Sequence, residues 1–225
     1  MNPKFIDEKF LDFKCPYCGE MNSFPQDCSG HVRECVNCLE SLIVPGAGNP
    51  SGKKIPLPIT TPHMILRRLD AGDWKDLQEF WSVDDEEMVR WLENDRKVKL
   101  TTVNQIFSLG IQLRNGGKII GCVGLSFSDF EFLQATITVD NHQNDQYKDF
   151  VREAVEAALG FCFKDLKLHR VVAQDGGINP KNCQLFETVG MRREGEFVKS
   201  YRVDGKWLNT IHFAMLDEEH GKAGI

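Results

Sequence analysis

From residue 64 to the end, apolar positions follow two alternating periods, and the switches between them outline an α/β chain. Residues 64–69 read as a short strand, after which Asp70 and Asp73 open a helix expected to reach about Trp81. Asp84 or Asp85 begins a second helix through Val89, Trp91 and Leu92. Alternation returns over 107–113, Asn115-Gly116-Gly117 turns the chain, and a second strand follows over 118–125, a hairpin pattern. A third strand is expected over 132–139. Val151, Ala154, Val155, Ala158 and Cys162 then form one apolar stripe of a long helix. A strand at 170–173 is followed by a helix opened by Asn179-Pro180 and ended by Gly190. Two strands near 196–203 and 208–216 flank Asp204-Gly205. This order, β-α-α-β-β-β-α-β-α-β-β, predicts a mixed sheet of about seven strands.

Both periods fail over residues 45–62, which hold five prolines and three glycines. Such a stretch sustains neither a helix nor a central strand. It predicts a linker at 47–62 between a small unit at 1–46 and a larger one at 63–220.

The small unit is set apart by its cysteines: five of the chain's eight lie within residues 15–38. Cys15-Pro-Tyr-Cys18 and Cys35-Val-Asn-Cys38 are two CxxC pairs, each able to turn two thiolates toward one centre. Together they supply the four soft ligands of a tetrahedral Zn²⁺ site. An Fe–S or redox pair is an alternative; disulfides are another, but nothing at the N-terminus reads as an export signal, and a cytoplasmic location is expected. Cys28 and His31 have no paired spacing and read as loop positions. The segment looks like a zinc ribbon, too small to bury a core without its metal.

Charge bears on what that ribbon could touch. The chain carries 27 Lys and Arg against 33 Asp and Glu, a net charge of −6. Residues 1–44 hold four cations and seven acids, and a Zn(Cys)₄ centre adds about −2. An acidic ribbon is a poor phosphate reader, so nucleic acid is disfavoured and a protein partner or a structural role is expected. The longest apolar run, residues 119–125, is too short to span a membrane.

Leu168-His-Arg-Val171, the span from Glu187-Thr-Val-Gly190 to Gly195, and Asp204-Gly-Lys-Trp207 with Ala214-Met-Leu216 resemble GNAT acetyltransferases. Leu66-Arg67-Arg68-Leu69 and Ile120-Gly121 with Gly124-Leu125 add to the likeness, whose nearest branch looks like the ribosomal-protein N-terminal acetyltransferases. The resemblance implies a GNAT fold, a mostly antiparallel sheet with flanking helices, over roughly residues 62–219. It also implies acetyl transfer from acetyl-CoA to a primary amine, of a protein N-terminus or a small molecule, by direct attack. In such proteins two central strands part, here expected after Val139, and backbone there holds the pantetheine arm. Ile137, Thr138, Val139 and Asn179 would lie along that arm, and Gln146, Tyr147, Lys148, Asp149 and Phe150 would form the pyrophosphate loop at the long helix.

The sequence departs from the family in that loop. Tyr147 and Asp149 stand where the family has glycines, and there is no glycine between Gly124 and Gly160. Asp145 or Asp149 could cap the helix in place of a bound anion, with Lys148 and Arg152 as compensating cations. Asn182 occupies the position of a serine thought to protonate the leaving thiolate, and Phe186 replaces a tyrosine. Asn182 and, as a base, Glu131 are the catalytic candidates. The alternative is a degenerate GNAT domain kept as a binding module. Cys122, Cys162, Cys183, His169 and His212 read as structural, and Trp81, Trp91 and Tyr201 as possible acceptor-groove walls.

Overall fold

The computed structural model describes residues 9–81, 83–128, 133–141, 145–175 and 180–221. The chain divides into two compact units, Met1–Pro56 and Leu57–Ile225.

In the first unit β1 (Phe10–Lys14) and β2 (Met21–Pro25) form an antiparallel hairpin. A second, three-stranded sheet holds β3 (Val32–Glu34), β4 (Ser41–Ile43) and β5 (Lys53–Lys54). Its core is small: Leu11, Phe13, Leu42 and Val44 pack with Cys15, Cys28 and Cys35. So little apolar surface leaves a unit of this size dependent on a further source of stability.

The Pro/Gly stretch expected to be a linker is more ordered than its composition suggests. Lys14 N–H donates to the Pro50 carbonyl at 2.9 Å, Gly52 N–H donates back to the Lys14 carbonyl at 2.9 Å, and β5 pairs with β4. Proline lacks only the donor, so Pro50 takes part through its carbonyl. Gly52 packs closely there, since a Cβ would sit 3.0 Å from the Phe13 ring.

The second unit opens with β6 (Ile59–Thr60) and β7 (Met64–Arg68). A 3₁₀ turn capped by Asp70 leads into α1 (Trp74–Gln78), which is shorter than expected and ends before Trp81. α2 (Asp85–Asp95) starts from an Asp84 cap whose carboxylate accepts from Glu87 N–H at 2.9 Å. β8 (Phe107–Leu113), β9 (Ile119–Phe127) and β10 (Gln134–Asn141) form a meander. α3 (Lys148–Gly160) buries the predicted stripe and continues through a π-helical turn, Phe161–Asp165. β11 (Arg170–Asp175), α4 (Pro180–Thr188), β12 (Arg192–Val203), β13 (Lys206–Leu216) and α5 (Asp217–His220) complete the unit.

The sheet order is β12-β13-β11-β10-β9-β8-β7-β6, eight strands rather than seven because β6 adds an edge. β10 and β11 are its parallel neighbours; the other pairings are antiparallel. A right-handed crossover through α3 is the usual way to connect such a pair. Among the described residues no helix is long and apolar enough to cross a membrane.

Candidate functional site

The four predicted cysteines converge. Cys15 follows β1 and Cys35 follows β3, and the two knuckles repeat each other's hydrogen bonds. Gly19 N–H donates to the Cys15 carbonyl and Leu39 N–H to the Cys35 carbonyl, both at 3.0 Å. Cys15 N–H reaches the Glu20 carbonyl at 2.8 Å and Cys35 N–H the Glu40 carbonyl at 3.0 Å. Gly19 and Leu39 both take positive φ, +80° and +59°, as a turn this tight requires.

All four sulfurs lie within 4.8 Å of one another, and the Cys15–Cys38 and Cys18–Cys35 separations are each 3.7 Å. A tetrahedron with Zn–S bonds of about 2.3 Å has edges of about 3.8 Å, so the donor set fits Zn²⁺. Around it, Tyr17 N–H donates to Cys15 Sγ at 3.4 Å, Asn22 Nδ2 to Cys35 Sγ at 3.6 Å and Asn37 Nδ2 to Cys18 Sγ at 3.7 Å. Donors placed on sulfur in this way stabilise thiolate. Sequence reasoning missed Asn22, whose Oδ1 also accepts from Val36 N–H at 3.0 Å and so ties one knuckle to the other.

In the second unit the parallel register of β10 with β11 ends at Ile137↔Ala173. β10 stays paired with β9 to Asn141, and β11 with β13 to Asp175. The strands therefore part after Ile137, two residues earlier than expected, because each follows its other neighbour. Asn182, on α4, donates from its amide to the Val139 carbonyl at 3.4 Å, beyond the last paired position. Ile137 and Val139 are buried, and Thr138 is half-buried opposite Gly124. A Cβ on Gly124 would stand 2.5 Å from Thr138 Oγ1, so the glycine makes room for that side chain.

A cavity of about 500 Å³ lies between the end of β10, the start of α3 and α4. Its polar groups include Asn141, Asp145, Lys148, Arg152, Lys181 and Asn182, with Gln184, Glu187 and Thr188 further along α4. The N-cap residue of α3 is Tyr147, whose side chain makes no capping hydrogen bond, and neither Asp145 nor Asp149 takes that role. Asp149 points its carboxylate into solvent, 3.7 Å from Arg152, which also reaches Glu156 at 3.3 Å. Asp145 bonds Lys181 at 2.8 Å instead, and that ammonium holds its carboxyl below the usual range. Gln146 and Tyr147 belong to the 3₁₀ turn before α3, and Phe150 packs its ring against His63 at 5.9 Å.

Of the predicted cofactor positions, Lys148 lines this cavity. Glu131 and Asn179 lie outside the described residues. Phe186 is buried against Phe213. Lys181 was not found from sequence, because no spacing connects the first turn of α4 to a loop 36 residues earlier.

A mixed sheet whose parallel central pair parts beside a helix N-terminus defines the GNAT class. The family model for the acetyltransferase (GNAT) domain matches residues 63–192, and the chain belongs to that family. The chain is 27% identical over 171 residues to the uncharacterized N-acetyltransferase YnaD of Bacillus subtilis, covering 72% of this chain and 98% of that one. The spermidine N(1)-acetyltransferase of Vibrio cholerae is 26% identical over 102 residues, 45% of this chain and 59% of the relative. In fold it resembles a GNAT-family acetyltransferase from Bacillus anthracis, with a TM-score of 0.62 and 22% identity over 72% of this chain and all of the other.

Proposed function

We propose that the second unit transfers an acetyl group from acetyl-CoA to a primary amine in a ternary complex. The observation that carries this is the parting of β10 from β11 after Ile137 beside the 500 Å³ cavity at the start of α3. Acetyl-CoA would bring the activated thioester. Backbone at Ile137, Thr138 and Val139 would align the pantetheine arm, with Asn179 beside it. Residues 146–150 and the dipole of α3 would face the diphosphate. N–H groups held rigidly at the strand edge stabilise negative charge developing on a carbonyl oxygen. Glu131 is the proposed base for the incoming ammonium. Asn182 and Phe186 have no proton to give near neutral pH, so Asn182 positions the strand edge and solvent protonates the leaving thiolate.

Two acceptor classes are in view: a polyamine, as in the Vibrio cholerae relative's name, or a protein N-terminus, as in the ribosomal-protein branch. In the first unit Cys15, Cys18, Cys35 and Cys38 would hold one structural Zn²⁺, leaving the ribbon to dock a protein. We place the protein in the cytoplasm, where thiols stay reduced.

Calorimetry with acetyl-CoA tests the core of this reading, followed by thiol release with spermidine or an N-terminal peptide as acceptor. Absence of binding at millimolar acetyl-CoA would overturn it. The glycine-free loop favours one other reading, a binding module without catalysis, which predicts binding but no thiol release with either acceptor.

A further inference from the structure

We propose that Lys181 is a phosphate-binding residue for the CoA moiety and that Asp145 is its built-in competitor, so that their ion pair opens when the diphosphate enters. This rests on the reading of the second unit as an acetyl-CoA site.

Lys181 Nζ and Asp145 Oδ1 are 2.8 Å apart. One belongs to the first turn of α4 and the other to the 3₁₀ turn ahead of α3, and both line the same cavity with Lys148 and Arg152. Glycines in a pyrophosphate loop let backbone N–H groups approach the phosphates. Residues 125–159 contain no glycine, so side-chain cations must carry more of that recognition. Arg152 is shared with Asp149 and Glu156 on its own helix. Lys181 is the cation that α4 brings to the cavity, and the carboxylate it holds occupies the place of an anion.

The side chains of Asp145 and Lys181 are 84% and 56% exposed. A pair so exposed favours the closed arrangement by no more than about fivefold. A diphosphate carries more charge and more acceptor oxygens than one carboxylate, and charge-assisted hydrogen bonds to it are strong. The exchange therefore runs toward the ligand. The pair also taxes binding, since the competent state is only a fraction of the free protein.

The test is calorimetry on the full chain with CoA and, as a phosphate-free probe, pantetheine. Asp145→Asn should tighten CoA about three- to fivefold. Lys181→Met should weaken it about tenfold. In the Lys181→Met background the Asp145→Asn gain should vanish, and pantetheine affinity should be the same in all four proteins. The proposal fails if Asp145→Asn leaves CoA affinity unchanged, or if its gain survives without Lys181, which would indicate simple repulsion. If CoA binds and no variant differs, only this inference falls. If neither the unaltered protein nor Asp145→Asn binds millimolar CoA, the acetyl-CoA reading falls with it.

Discussion

Arg68 on β7 and Asp95 at the end of α2 meet at 3.0 Å, with side chains 24% and 3% exposed. Arg68 also donates to the Ser108 carbonyl at 2.8 Å and lies 4.1 Å from the centre of the Phe107 ring. Burial pushes the Asp95 carboxyl up and the Arg68 guanidinium down, each opposed by the partner's charge. The pair fixes α2, whose Met88 and Leu92 cover Leu69, Leu77 and Ile119, against the sheet. Removing one partner leaves the other charged and out of water. Asp95→Ala should cost about 3–5 kcal/mol in chemical unfolding, and Arg68→Met with Asp95→Leu should recover most of it. Equal losses in single and double variants would contradict this.

Acid stability should carry a signature of Glu194. Hydrogen bonds from Arg170 and then Arg192 outweigh slight burial and bring its carboxyl from 4.5 to about 2. A lowered folded pKa contributes stability that is complete above about 4.5 and is lost as the pH falls toward about 2. Solvent screening keeps the effect under about 1 kcal/mol. Melting curves of Glu194→Gln should fall below those of the unaltered protein at pH 6 and converge with them near pH 2. A constant gap across that range would rule the pair out as the cause.

The metal should be indispensable to the first unit alone. Zinc analysis should give one ion per chain, and a strong chelator should remove near-ultraviolet signal from Phe13 and Tyr17 while the second unit keeps its cooperative melt. Cys35→Ser should have the same effect without chelator. Leu39 holds φ +59°, where Gly19 serves in the other knuckle. Leu39→Gly should therefore raise stability of the zinc form by up to about 1 kcal/mol. A loss would mean that the Leu39 side chain contributes more than its strained backbone costs.

Gly121 is a steric requirement of the sheet next to the cavity. A Cβ there would stand 2.6 Å from the Asp140 carbonyl oxygen and 2.9 Å from Asn141 Cβ. Backbone cannot yield as a side-chain tip can, so Gly121→Ala should cost about 1–3 kcal/mol. Because Asn141 lines the cavity, CoA affinity should fall too. Gly160→Ala, in open space and helical conformation at the end of α3, should leave CoA affinity unchanged and raise stability by up to about 1 kcal/mol.

Much of the architecture was legible because it depends on period and punctuation. The stripe from Val151 to Cys162 is buried as its spacing requires, and Asn115-Gly116-Gly117 turns the hairpin with Gly116 and Gly117 at φ +88° and +71°. The edge strands β5 and β6 were not legible, because two residues between prolines carry no periodic signal and form only against a neighbour. The helix caps offered by Asp145 and Asp149 failed for a related reason. Asp145 takes the Lys181 ammonium, which comes from a distant element, and Asp149 lies inside the first turn of α3 itself, facing solvent and Arg152.

By itself the sequence determined what is local: the two CxxC knuckles, the order of strands and helices, and the family those motifs belong to. Tertiary structure alone decided where β10 leaves β11, which cations meet at the cavity, and that Asp145 pairs with Lys181 rather than capping α3. Those outcomes depend on competition between groups far apart in the chain. Such competition is settled by distance and burial, which spacing along the chain does not encode.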